Sequence, residues 1–186
     1  MKQAVRIEHD LIGDRQVPAA AYYGVHTLRA LENFPITGTA ISIYPDLVQA
    51  LACVKQAAAL ANRDLGLIDA ERADAIVRAC EEIRQGALLE EFVVDVIQGG
   101  AGTSSNMNAN EVVANRALEL LGAPKGDYAR LHPLDHVNLS QSTNDVYPTA
   151  VKLALQFGIR RLLAAMAQLR QEFEAKATEF STVLKI

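Results

Sequence analysis

Cysteine is scarce in this chain of 186 residues: Cys53 and Cys80 are the only two. Each falls on the apolar stripe of a predicted helix, where a thiol behaves as a small hydrophobe, so neither a disulfide framework nor a reactive thiol is expected. Basic blocks are absent as well. The 18 Lys and Arg are outnumbered by 22 Asp and Glu, for a formal net charge of -4. Without a cationic patch to neutralise phosphates, nucleic acid is excluded as the expected partner. No apolar run approaches the ~20 residues that a membrane helix needs, and the start MKQAVRIEHD lacks the apolar centre of a signal peptide. The expected location is the cytoplasm, with no membrane partner. What remains is a chain that is 50% hydrophobic, able to bury a real core in one domain or one and a half.

The most informative stretch runs from Gly99 to Glu111, GGAGTSSNMNANE. Glycine admits positive φ and close approach of the backbone to a ligand. Hydroxyls at a helix head cap it and leave free N–H groups facing an anion, which makes Thr103, Ser104 and Ser105 candidate contacts. Asn106, Asn108 and Asn110 follow in a segment, Met107 to Leu121, that otherwise reads as helix. Asparagine is a poor helix former because its amide competes for the backbone, and places where a local rule is broken are expected to be functional. The plainer alternative is a glycine turn leading into a polar-faced helix.

In chain order, residues 1–17 read as an irregular or short-strand arm ending at Pro18. A first helix follows AYYGVHT, with Arg29 and Glu32 near its end. Asp46 is expected to cap a strong helix whose apolar face is Leu47, Leu51, Val54, Ala58, Ala61 and Leu65, stopped by Gly66. Asp69 caps the next, with Ala73, Ile76, Cys80 and Ile83 facing inward until Gly86. The two form a helical hairpin. Residues 87–97 are expected to approach the glycine turn in a short extended segment.

A second polar stretch, HPLDHVNLSQSTNDVYP, precedes the last helix. His132 and His136 stand four apart, but Pro133 argues against a helix there, so no metal site is expected. SQSTND holds more side-chain donors than capping needs, and Ser142, Thr143 and Asn144 in a row point to ligand contacts. From Asp145 to Phe180 an apolar stripe, Val151, Leu155, Ile159, Leu162, Met166, Leu169, Phe173, Ala177 and Phe180, advances by three and four residues. At ~1.5 Å per residue this helix spans roughly 50 Å, whereas a compact chain of this length is about 40 Å across. It must project, and it needs neighbours of similar length.

RIEHDLIG, VPAAAYYGVHTLRALENF, VDVIQGGAGTSSNMNANEVVAN, KGDY and HVNLSQSTNDVYPTA together resemble the N-terminal part of the aspartate ammonia-lyases, in the aspartase/fumarase superfamily. The resemblance runs from about Arg6 to Lys185. Tyr23-Gly24, GGAGTSSN and Ser142-Thr143-Asn144-Asp145 follow the aspartase pattern, where class II fumarases usually read WG, GSGTQSN and SSND. The resemblance implies a mainly α fold: a small helical N-terminal lyase domain over residues 1–140, then over 141–186 the first long helix of a central bundle, left incomplete. It implies reversible anti elimination of ammonia from L-aspartate to give fumarate, with no organic cofactor and no metal, in a homotetramer whose sites combine segments of three subunits. Thr103, Ser142 and Thr143 would hydrogen-bond the carboxylate next to the carbon losing its proton, and Asn144 the amine.

Two departures stand out. His132-Pro133-Leu134-Asp135 replaces the family's usual HPND, removing an amide from a loop that could hold a subsidiary anion, and Phe92-Val93 replaces Phe-Pro. The family's Gly-Ser-Ser loop with its base serine, and the Gly-Arg-Thr segment expected after Leu184-Lys185, do not occur, so no catalytic base is assigned and a truncated chain is expected. Two other readings stay open: a fumarase or another superfamily lyase, and a non-catalytic assembly fragment that docks through its long helix.

Overall fold

The computed structural model describes residues 4–184; the first three residues of the arm and Lys185, at the end of the family-like stretch, lie outside it. The arm is a β-hairpin. β1 (Val5–Asp10) pairs antiparallel with β2 (Gly13–Pro18), placing Arg6 opposite Val17 and His9 opposite Asp14. Val17 and Glu8 are its buried residues. Arg29 reaches back from α1 (Val25–Asn33) to clamp the hairpin turn, donating from Nε and Nη2 to the two carboxylate oxygens of Asp10 at 2.6 and 2.7 Å.

α1 begins at Gly24, which has no side chain to cap it, and its free N–H groups are met by two buried carboxylates from elsewhere. Glu111 accepts from the backbone of Gly24, His26 and Thr27 at 2.8, 2.8 and 3.1 Å. Glu8 accepts from Val25 N at 2.8 Å and from Tyr128 Oη at 3.1 Å. A Cβ on Gly24 would lie 2.6 Å from Glu8 Oε2 and 2.7 Å from Tyr128 Oη, so only glycine lets the helix head reach the acids.

α2 (Pro45–Asp64) and α3 (Ala70–Arg84) form the expected hairpin. Gly66, at φ +70, ends α2 and lets Leu67 N donate to Asn62 O at 2.8 Å, the bond pattern of a glycine helix stop. Asp69 caps α3 through Arg72 N at 2.9 Å, and Ala73, Ile76, Cys80 and Ile83 are all buried. Two details of α2 differ from expectation. Asp46 is not its cap, since Tyr44 holds that position and Asp46 pairs with Arg161. The buried face is Val48, Leu51, Ala52, Lys55, Ala59 and Asn62, rotated from the apolar stripe, while Leu65 is exposed. α2 packs against α3 on one side and the last helix on another, so a one-sided stripe misjudged its orientation and hid a lysine inside.

α4 (Thr103–Leu120) is the centre of the molecule, with 13 of 18 residues buried and neighbours on α1, α2, α3 and α5. The approach to it is extended only over its second half. Leu89–Glu91 form a 3-10 turn, and Asp95 then bridges to Ala40. Asp95 gathers this crossing: its carboxylate accepts from Thr37 N at 2.6 Å, Gly38 N at 2.9 Å, Thr37 Oγ1 at 2.9 Å and Ile97 N at 2.8 Å. Burial alone would raise its pKa, but these bonds outweigh it and hold the group down to about 2. The Arg29 clamp likewise holds Asp10 to about 2.

An acid dependence follows. A carboxyl whose folded pKa is depressed contributes stability above its unfolded value of about 4, and that contribution is lost as pH falls through about 2. Stability measured by urea unfolding is therefore expected to fall between about pH 4 and pH 2, and to fall less steeply in Asp95→Asn. An unchanged slope in that variant would remove Asp95 from the acid transition.

α5 (Thr143–Glu179) is 37 residues long, about 55 Å at 1.5 Å per residue. Val146 and Ala150 bury it at its start, and beyond Gly158 every described residue is exposed. The expected projection is present: Leu162 is 59% exposed and Phe173 67%. No described helix is long and apolar enough to cross a membrane.

Candidate functional site

The glycine turn and the head of α5 face each other. Gly100 and Gly102 have φ of +74 and +82, and the ring of Tyr147, on α5, occupies the space that a Cβ on Gly102 would need. Between these elements lies a cleft of about 270 Å³, walled by Val96, Gln98, Gly100, Gly102, Asn144 and Tyr147 among others. Asn144 lines it directly. Thr103, Ser142 and Thr143 are not lining residues, although each is chain neighbour, or next but one, to Gly102 or Asn144.

The hydroxyls do not cap α4. Gly102 is the cap residue, and Gln98 satisfies the helix instead: its Oε1 accepts from Ser105 N at 2.9 Å, while its Nε2 donates to Ser105 Oγ at 2.9 Å and Asp95 O at 2.8 Å. Thr103 is left exposed at the first turn. On α5, Ser142 is the cap, its Oγ accepting from Asn144 N at 3.2 Å. One of the three polar residues therefore does the capping, and Thr143 and Asn144 are surplus to it.

The three asparagines of α4 are not at the surface, contrary to the plainer alternative of a polar-faced helix. Asn106, Asn108 and Asn110 are 1%, 0% and 0% exposed. Asn108 Nδ2 donates to Glu91 O at 2.9 Å. Asn110 Nδ2 donates to Asn138 Oδ1 at 3.2 Å. Asn106 Nδ2 donates both to Asn138 Oδ1 at 3.1 Å and to Thr143 Oγ1 at 3.0 Å, which joins the head of α5 to α4. Their amides supply donors where the chain turns twice, and a buried helix tolerates their poor propensity because tertiary bonds replace what the backbone loses.

Beneath this network sits a residue that sequence reasoning missed. Lys55 of α2 is 0% exposed, with Nζ 2.8 Å from Asn138 Oδ1 and 3.0 Å from Gln141 Oε1. Burial pushes its pKa down to about 7. The available signal was a lysine at an inward position between Leu51 and Asn62, masked by the stripe chosen for α2. Glu8 and Glu111 were missed for the same reason: a buried acid serving a distant helix head leaves no local pattern.

His132 and His136 also differ from expectation. Pro133–Val137 form a single π-helical turn, with Pro133 in the first position, where a missing N–H costs nothing. His132 Nδ1 accepts from Leu134 N and Asp135 N, each at 3.2 Å, and His136 Nδ1 accepts from His132 N at 2.8 Å. Both rings brace the loop. No group of three or more metal-binding side chains occurs among the described residues.

The cleft is thus walled by the glycine turn and by Asn144 and Tyr147 of α5, with the hydroxyls of the two helix heads beside it and the asparagine amides of α4 buried behind. Comparison with known proteins gives the class. The family described as lyase matches residues 13–186, and the chain belongs to that family. It is 52% identical to the aspartate ammonia-lyase of Bacillus sp over 186 residues, covering 100% of this chain and 39% of that protein. Over 181 residues it is 58% identical to that of Pseudomonas fluorescens, covering 97% and 38%, and over 187 residues 53% identical to that of Escherichia coli strain K12, covering 100% and 39%. Among solved structures, fumarate lyase:delta crystallin from Brucella melitensis matches with a TM-score of 0.93 and 57% identity, over 98% of this chain and 43% of that one. The class II fumarase of Schistosoma mansoni matches at 0.75 and 40%, over 81% and 32%. The chain thus spans less than half the length of the relatives it matches.

Proposed function

We propose that this chain forms part of an aspartate ammonia-lyase active site, acting in the reversible elimination of ammonia from L-aspartate to give fumarate. The observation that carries the reading is the bond from Asn106 to Thr143 across the two helix heads, which brings the glycine turn and SQSTND to one cleft with Asn144 in its wall. Removing a carbon-bound proton builds negative charge on the neighbouring carboxylate, and positioned neutral donors stabilise that charge without adding their own. In this reading Thr103, Ser142 and Thr143 hold the carboxylate, and Asn144 holds the amine. Aspartate is favoured over a fumarase substrate by 52–58% identity to aspartate ammonia-lyases against 40% to the class II fumarase. Residues 1–140 act as the lyase domain and 141–186 as the start of a bundle shared between subunits.

Two experiments test this. The 186-residue chain alone is expected to form no fumarate from aspartate by ultraviolet absorbance, because the loop bearing the family's base serine is not within it; enzyme-dependent fumarate would mean another base is present. In a chain of the relatives' full length, Thr143→Val should keep the fold and lose rate by about 3 kcal/mol in the barrier, the effect of one oxyanion donor. Unchanged kinetics would return Thr143 to a structural role. A second reading, a non-catalytic piece that docks through its long helix, is supported by the exposed face of α5 and predicts association without turnover.

A further inference from the structure

Lys55 is the sole cation in a network otherwise made of amides and hydroxyls, and an ammonium can only donate. Asn138 must therefore turn Oδ1 toward it; the reverse orientation would set NH2 against NH3+ and would break the 3.0 Å bond from Asn138 Nδ2 to Gln141 O. Gln141 is fixed in the same way: Oε1 faces Lys55, and Nε2 donates to Val137 O at 2.8 Å. Because Asn138 presents an oxygen, Asn106 and Asn110 must both meet it with Nδ2. The second hydrogen on Asn106 Nδ2 then goes to Thr143 Oγ1 at 3.0 Å. That hydroxyl is the acceptor in this bond, so its own hydrogen is free to point away from α4. The orientation is costly. Among the described residues, Asn106 Oδ1 and Asn110 Oδ1 are buried without a hydrogen-bond partner, as is Asn108 Oδ1 outside this network, so the direction of Asn106 and Asn110 follows from their donors alone.

We propose that Lys55 is a positioning residue that sets the hydrogen-bond direction of Asn138, Asn106 and Asn110 and so turns the Thr143 hydroxyl outward as a donor. The proposal rests on the reading of Thr143 as a carboxylate contact, but the network is measured without substrate, so each can fail alone. A substrate carboxylate accepts only, and a Thr143 hydroxyl committed inward could not serve it. The other titratable group facing Lys55 is Cys80 of α3, whose thiol burial pushes up to about 12; it stays neutral while Lys55 titrates.

The test is side-chain amide NMR on the 186-residue chain. Asn108 and Asn115 lie on the same helix but bond elsewhere, to Glu91 O and to Tyr22 O and Tyr128 Oη, and they report the fold. In Lys55→Met, NH2 exchange at Asn106 and Asn110 should speed up by about tenfold, the factor implied by one buried hydrogen bond, with Asn108 and Asn115 unchanged. In the unmodified chain, the NH2 signals of Asn106, Asn110 and Asn138 should move together as pH passes through the midpoint of the Lys55 Nζ signal, again without Asn108 and Asn115. This second measurement decides the matter if Lys55→Met does not fold. Asn106 and Asn110 signals that stay fixed while Lys55 loses its proton, or that move no more than the two controls, overturn the proposal.

Discussion

Glu111→Ala is expected to abolish cooperative folding of the chain. The carboxylate is 0% exposed and accepts from three backbone N–H groups at the start of α1, at 2.8, 2.8 and 3.1 Å, and from His26 Nδ1 at 3.1 Å. The hydrogen bond to Glu111 raises the pKa of the His26 ring. An alanine leaves the three backbone donors buried with no acceptor, at about 1 to 3 kcal/mol each. The sum, about 3 to 9 kcal/mol, rivals the whole stability of a typical domain. Glu111→Gln keeps one oxygen but sets an NH2 among N–H groups, and should fall between. Urea unfolding followed by circular dichroism tests the series. A cooperative transition for Glu111→Ala within about 1 kcal/mol of the unmodified chain, the size of an ordinary substitution, would mean water or Glu8 replaces it.

Glu111 also shows where the sequence stopped being readable. Elements bounded by local chemistry were legible: Gly66, Asp69 and Gly86 mark α2 and α3 because a left-handed glycine or an aspartate cap acts within four residues of itself. The long stripe of α5 was legible because its spacing runs unbroken, and beyond Gly158 every described residue of it is exposed. What could not be read were pairings between distant segments. Glu111 lies 87 positions from Gly24, Lys55 lies 83 from Asn138, and no periodicity links such pairs. The asparagines of α4 fall between the two cases. Their breach of helix propensity marked an unusual place, and its cause in the fold is a need for buried donors.

The second large effect concerns association. Along α5, Leu155, Ile159, Leu162, Met166, Leu169 and Phe173 are 60%, 53%, 59%, 56%, 57% and 67% exposed. Where the helix leaves the body, they continue into an apolar groove of about 600 Å³ against Ile43, Tyr44 and Leu47. A monomer rarely exposes a contiguous apolar patch beyond a few hundred Å². Burying each such side chain contributes about 1.5 to 3 kcal/mol, so one face of six exceeds the association entropy of ~4 to 15 kcal/mol over most of its range. The chain is therefore expected to self-associate through residues 145–180, in a closed bundle or, if none forms, as aggregates. Leu162→Glu with Leu169→Glu places two charges at the centre of that face without disturbing a buried residue, since every described residue beyond Gly158 is exposed and Leu162 meets the body only at the rim of the groove. It should yield a monomer with α1 to α4 intact. Sedimentation velocity at tens of micromolar separates the outcomes: an unmodified chain that runs as a monomer with its long helix intact would show that the exposed face has too little affinity for itself to hold subunits together.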